Sequence, residues 1–243
     1  MASLAGSKVV VVGGSSGIGL GVAAAALEKG ARLVIVGRSP KKLETAASTL
    51  STAGPLETIA GDMTQEDEVA RLFDRVGRFD HLVSTAGAPP PGDPIDRTDV
   101  DVVRRFVDSK LLGAVLLVKH AVRGLKTGGS ITFTSGINKD RPPVPGGAVV
   151  SAIAGSFDYL ARALALELAP SRVNVVSPGW VDTPMFDELV GDAKHGYFES
   201  MASRLPSGKI AAPSDIAPAY LYLMESDFTT GETLHIDGGQ RLI

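Results

Sequence analysis

The chain has 243 residues, 44% hydrophobic and 21% charged, enough for one substantial core and short for two independent domains. Its formal net charge of -3 supplies no broad positive field, so neither nucleic acid nor an anionic membrane surface is an expected partner. There is no Cys, which excludes disulfides and thiolate chemistry, and the four His residues lack the paired spacing of a metal site, so no metal is expected. The amino terminus has no charged segment leading into a long apolar run, and no uninterrupted apolar stretch approaches the ~20 residues of a bilayer span. The expectation is a soluble, cytoplasmic protein.

Val9 to Val12 reads as a strand buried on both faces and closed by Gly13 and Gly14, and Ile18 to Lys29 as an Ala-rich helix ended by Gly30. The alternation continues through Leu33 to Val36, Pro40 to Leu50, Leu56 to Ala60, Glu66 to Val76 and His81 to Ser84. Such βαβ units cross over right-handed and place helices on both faces of a parallel sheet, an α/β three-layer sandwich of the Rossmann type. A Pro-rich stretch, Ala88 to Pro94, precedes a long helix over Val100 to Arg123 and the strand Ser130 to Thr134. A helix follows from about Val149 to Leu168, with strands at Val173 to Val176 and Leu234 to Ile236. Between these, residues 181–209 have weak periodicity and several Gly and Pro, the pattern of a lid within one domain spanning 1–243.

Gly13, Ser15, Ser16, Gly17, Ile18 and Gly19 lie between a strand end and a helix start. Gly13 suits the tight turn, Gly17 lets backbone approach a pyrophosphate, and Gly19 permits close helix packing. The phosphate then meets unpaired N–H groups and the positive end of the helix dipole. Arg38 and Ser39 follow the second strand, where an acidic residue would bind a ribose 2′-OH; a guanidinium and a hydroxyl suit a 2′-phosphate instead. The expected cofactor is NADP(H). Asp62 has two readings, as acceptor from the adenine amino group or as a cap for the helix after Thr64.

These residues resemble the short-chain dehydrogenase/reductase family along essentially the whole chain. Gly13 to Gly19 is similar to its TGxxxGIG turn with Val12 in place of Thr, and Gly61-Asp62-Met63-Thr64 to its adenine-contact segment. Ser84-Thr85-Ala86-Gly87 resembles the NNAG motif with both Asn replaced. Arg172 to Gly179 with Thr183 is similar to the strand and turn beside the nicotinamide carboxamide, and Thr230 to Gly239 to the last strand. The resemblance implies a seven-stranded parallel sheet, a small-molecule substrate and a homodimer or homotetramer. It also implies cofactor contacts from Met63, Ala86, Gly87, Ala88, Pro178, Gly179 and Thr183.

The family works through an Asn, a Ser, a Tyr and a Lys. In this sequence Lys110 stands at the Asn position, Gly136 at the Ser position, Val150 at the Tyr position and Ala154 at the Lys position. Three compensating residues are read in their place. Lys110 is either a cation reaching a ribose or substrate oxygen or a surface side chain. Ser135, at a strand end, is a substrate ligand or a turn hydroxyl, and Arg141 is a loop cation able to stabilise a developing alkoxide or a solvated charge. Trp180, Met185 and Tyr197 suggest an apolar or aromatic substrate. The leading expectation is an NADPH-dependent reductase delivering hydride to a carbonyl, imine or iminium. The alternatives are a non-redox cyclase of secondary metabolism on the same fold, or a catalytically silent NADPH-binding protein.

Overall fold

The computed structural model describes residues 3–50 and 54–243; the reading of the amino terminus from Met1 falls partly on positions outside the described residues. Seven strands, β1 (Lys8–Val12), β2 (Arg32–Gly37), β3 (Leu56–Ala60), β4 (Phe79–Ser84), β5 (Leu125–Thr134), β6 (Arg172–Pro178) and β7 (Thr233–Ile236), form one sheet in the order β3-β2-β1-β4-β5-β6-β7. Every neighbouring pair is parallel. Chain order reverses between β1 and β4, which opens a crevice at the carboxyl ends of those strands, where ligands bind in such sheets.

Alternate residues of the apolar strands point to opposite faces, so two cores form. Val9 and Val11 pack with α1 (Gly17–Glu28), α2 (Pro40–Leu50) and α9 (Pro213–Glu225), whereas Val10 and Val12 pack toward α3 (Glu66–Val76), α5 (Gly113–Ala121) and α6 (Gly147–Glu167). By length and composition α6 could cross a bilayer, its most apolar window having a mean hydropathy of 1.4; here it packs against β6.

Two expectations need correction, and one helix has no counterpart among them. The long helix from Val100 is α4 (Val100–Val107) joined to α5 by a wide π turn at Asp108–Leu112 and ends at Ala121. The segment 181–209 is largely helical, with α7 (Pro184–Val190) and α8 (Lys194–Ala202). Its periodicity is weak because α8 buries none of its described residues, leaving no apolar stripe to read. Finally, α9 was not anticipated. Pro218 lies inside it, and a proline in mid-helix reads as a break; close to the first turn it forfeits only one intrahelical bond.

Buried in β4, His81 hydrogen-bonds through Nδ1 to Ser130 Oγ at 2.9 Å. Burial, reinforced by the positive charges of Arg172 and Lys126 and opposed by Asp80, pushes its pKa from 6.5 down to about 4. Between those values the unfolded chain binds a proton that the folded chain refuses. Stability held above 6.5 is therefore lost as pH falls through 4, by roughly 3 kcal/mol. Urea denaturation at about pH 7 and about pH 4 should show a loss smaller by about that amount in His81→Gln. Equal losses in both proteins would contradict this assignment.

Candidate functional site

The crevice is a cleft of about 550 Å³ along the carboxyl ends of β1, β2, β3 and β4. Its floor is the turn from β1 to α1. Gly13 (φ 86°) and Gly17 (φ 52°) both occupy left-handed backbone. A Cβ on Gly13 would lie 2.6 Å from Thr85 Oγ1, and one on Gly19 would meet the Gly13 carbonyl oxygen and lie 2.5 Å from Thr85 Oγ1. The turn thus keeps its backbone bare because side chains do not fit there.

Of the predicted cofactor contacts, Gly13, Ser15, Ser16, Gly17, Ile18 and Gly19 line the cleft, as do Arg38, Ser39, Asp62, Met63, Ala86, Gly87, Ala88 and Thr183. Pro178 and Gly179 do not. Gly179 N donates to Ile236 O and its α-carbon packs close to Asp237, which holds this turn against β7.

At one end, the exposed Arg38 and Lys42 both line the cleft and neither makes an ion pair among the described residues. Ser39 Oγ accepts from Lys42 N at 3.3 Å, so it caps α2 while bordering the same space. Lys42 was missed in the sequence; its position one helical turn beyond Arg38 was the available signal. Asp62 does not cap α3, whose N-cap is Gln65 without a side-chain bond; its Oδ1 instead closes the turn before that helix, accepting from Thr64 N and Thr64 Oγ1, both at 2.9 Å. No partner of its Oδ2 is found among the described residues, which leaves that oxygen for the cleft.

Thr85 was not singled out, although the motif containing it was. Its hydroxyl lies 3.2 Å from Val12 O and 3.3 Å from Gly13 O, tying the end of β4 to the end of β1. Ser109 Oγ accepts from Ala88 N at 2.9 Å and donates to Phe106 O, binding the β4 loop to the π turn.

The three compensating residues are not brought together in the cleft lining. Ser135 Oγ donates to Ala154 O at 2.7 Å, which favours the turn-hydroxyl reading. Arg141 is exposed on the loop before α6. Its neighbour Lys139 is drawn away into a cluster with Asp140, Asp158 and His235, at 2.9, 3.1 and 3.2 Å. Lys110 is partly buried, and its Nζ donates to Thr134 O at 3.3 Å. Burial pushes its pKa down to about 8.

Among the substrate residues, Met185 lines the cleft and Trp180 and Tyr197 do not. Trp180 is half-buried at the root of the lid, its carbonyl accepting from Ala211 N, and Tyr197 stacks with Phe186 and Phe198 within the lid at ring centroids 6.3 and 6.2 Å apart. Lys194 fastens α8 to the lid root and to α7 through Asp182 and Asp187, both at 2.6 Å. His195 is exposed beside Glu199.

A sequence profile described as Enoyl-(Acyl carrier protein) reductase matches residues 12–241. Short-chain dehydrogenase/reductase malC of Malbranchea aurantiaca is 31% identical, covering 98% of this chain and 96% of its own length. Cis-4-hydroxycyclohexanecarboxylate dehydrogenase of Sinomonas cyclohexanicum is 35% identical over 95% of this chain and 94% of its own. Among solved structures, MalC reductase/Diels-Alderase from Malbranchea aurantiaca has a TM-score of 0.90 at 29% identity, covering 99% and 98% of the two chains. A small-chain dehydrogenase crystallised with NADPH has a TM-score of 0.82 at 33% identity, covering 98% and 100%. Sequence and fold agree over nearly the full length, and the chain belongs to the short-chain dehydrogenase/reductase family.

Proposed function

We propose that this protein is an NADPH-dependent reductase acting on the carbonyl or iminium carbon of a small apolar or aromatic molecule. The observation that carries the reading is the pair of cations without ion-pair partners among the described residues, Arg38 and Lys42, at one end of a cleft whose turn has no room for side chains at Gly13 and Gly19. The bare turn and the N-terminus of α1 fit a pyrophosphate, and Arg38, Lys42 and Ser39 fit a 2′-phosphate by charge-assisted hydrogen bonds. Asp62 Oδ2 and Met63 would meet an adenine, while Ala86, Gly87, Ala88 and Thr183 would flank the rest of the dinucleotide, with Pro178 and Gly179 at the carboxamide. Bound there, a reduced nicotinamide supplies a hydride. Met185 and the lid behind it would exclude water, with Trp180 and Tyr197 shaping the substrate space from its root and interior.

NADPH fluorescence titration tests this reading. Arg38→Glu replaces attraction by repulsion and should weaken NADPH binding by about 2 to 3 kcal/mol, roughly 30- to 150-fold, while leaving NADH affinity unchanged or improved. A protein that ignores both nucleotides, or a variant that binds NADPH like the wild type, would overturn it.

A second reading draws on the likeness to a protein described as both a reductase and a Diels-Alderase. The same cleft and lid would fold a substrate for cyclisation without redox turnover. Product mass separates the two, since reduction adds two hydrogens and cyclisation none. We further infer a homodimer or homotetramer, supported by the exposed Tyr159 and Leu166 on α6; a monomer mass by light scattering would refute it.

A further inference from the structure

We propose that the Lys110 ammonium is the proton donor of this site, and that its charge selects a neutral carbonyl or enone oxygen over an iminium substrate. The proposal rests on the reductase reading and narrows its substrate class.

The π turn at Asp108–Leu112 carries Lys110 inward. Its side chain passes against Gly87, where a Cβ would lie 2.5 Å from Lys110 Cε and 2.8 Å from Cδ. Gly87 lines the cleft, and the Lys110 Nζ contact with Thr134 O lies at the carboxyl end of β5. The ammonium therefore lies by the carboxyl ends of β4 and β5, beside the space where the fold binds ligands.

An ammonium has three donors, and this one makes a single protein hydrogen bond, to a neutral carbonyl. The neighbouring elements bring it no counter-charge among the described residues. Asp101, Arg104, Arg105 and Asp108 are exposed, while Lys119 and His120 of α5 pair with Glu66 and Lys126 of β5 pairs with Asp80. On α6, Asp158 is held by Lys139 and Thr233, and Arg162 and Glu167 are exposed. Two donors are thus left for a ligand oxygen.

With burial holding its pKa near 8, Lys110 is mostly charged at neutral pH and still able to give up its proton. Around Lys110, the other positions that could offer a proton are empty of one or engaged, and Tyr197 lies apart in the lid, stacked with Phe186 and Phe198. Val150 and Ala154 carry no proton to give, Ser135 donates to Ala154 O, and the buried Tyr220 hydroxyl donates to Thr134 Oγ1 at 2.6 Å. A cationic substrate would place a second positive charge beside an uncompensated one in a poorly solvated wall. An oxygen gaining negative charge is attracted instead.

In the step, the hydride that a bound reduced nicotinamide would give up as its own C–H bond breaks forms a C–H bond at the acceptor carbon, the π pair of the carbonyl moves to oxygen, and that oxygen takes a proton from Lys110 Nζ, whose N–H bond breaks. The amine regains its proton from water. In an enone the oxygen protonated is that of the enolate. The carbonyl compound is reduced and the nicotinamide oxidised.

The test uses 4-nitrophenol as an oxyanion probe on the protein saturated with NADP+, read by the visible absorbance of the phenolate. The wild type should bind the probe ionised, with its apparent pKa lowered by about 1 unit; Lys110→Met should lose this shift and Lys110→Arg should retain much of it. Gly87→Ala, whose new methyl displaces Lys110 Cε without removing the charge, gives the same loss by a second route. Steady-state assays should show ketones or enones turned over and iminium ions not, with Lys110→Met at least about tenfold slower. Equal probe ionisation in wild type and Lys110→Met, no probe binding, or preferential iminium turnover would each overturn the proposal. NADPH titration keeps the two readings apart: intact binding with an indifferent Lys110 sinks only this inference, whereas absent binding sinks the reductase reading itself.

Discussion

Gly19→Ala should abolish measurable NADPH binding and lower the melting temperature by on the order of 10 °C. The added methyl would meet the carbonyl oxygen of Gly13 on one side and Thr85 Oγ1, at 2.5 Å, on the other. The first neighbour is backbone held to β2, where Gly13 N donates to Val36 O at 2.8 Å. The second is tied to Val12 O and Gly13 O. Neither can swing away as the far end of a flexible side chain could, so α1 must move off the sheet or the turn must open. Overpacking of this kind costs about 3 kcal/mol, and for a chain of this length each kcal/mol shifts melting by about 2 to 4 °C. Binding suffers further because the displaced amides are the proposed pyrophosphate ligands. Gly196→Ala, in the exposed α8 where a Cβ meets nothing within 4 Å, is the control and should leave both readouts nearly unchanged. Calorimetry of the two variants with and without NADPH checks the contrast.

The same contacts explain why this part of the site was legible in the sequence. A turn that excludes side chains has to be written in glycine, and Gly13, Gly17 and Gly19 lie within seven consecutive residues between an apolar strand and a helix. Likewise Arg38 follows β2 directly, so a local spacing reports its placement. The strands read well for a similar reason: β1, β2 and β6 are buried along most or all of their length, and burial on both faces leaves short continuous apolar runs. β5 was read five residues short because Lys126, Gly128 and Gly129 precede its apolar half, and its pairing with β4 shifts register between Phe79 and His81.

What was not legible depends on residues far apart in the chain. Nothing near Lys110 in sequence announces that a π turn will aim it past Gly87 toward Thr134, so a surface lysine and a buried one read alike. Ser135 was open between ligand and turn hydroxyl until α6 brought the Ala154 carbonyl to it, nineteen positions later. The cluster of Lys139, Asp140, Asp158 and His235 joins the loop after β5 to α6 and β7, and sequence gave no sign that it would withdraw Lys139 from the loop cations. Helix α9 was hidden by Pro218, yet it packs against α1 and so backs the nucleotide turn.

Besides its apolar packing on α1, α9 is tied to β6 by one side chain, and Arg172→Met should cost about 4 kcal/mol of stability. Arg172 opens β6 and is buried, its guanidinium donating through one terminal nitrogen to Leu223 O and through the other to Met224 O at 3.0 Å. Both acceptors are in the last turn of α9, where carbonyls have no intrahelical donor and the dipole is negative, so a cation suits them. Methionine fills much of the volume but donates nothing. Two buried carbonyls then lose their partners at about 1 to 3 kcal/mol each. Lysine, with a compact ammonium in place of a planar fork, should recover about half of the loss. Arg172 is also one cause of the low His81 pKa, so its removal should raise that pKa and narrow the window over which acid destabilises the fold. Urea melts of Arg172→Met at about pH 7 and about pH 4 read both effects. A variant as stable as wild type at neutral pH would show that α9 is held by its apolar face alone, and an unaltered acid loss would show that burial, without the neighbouring charge, sets the titration of His81.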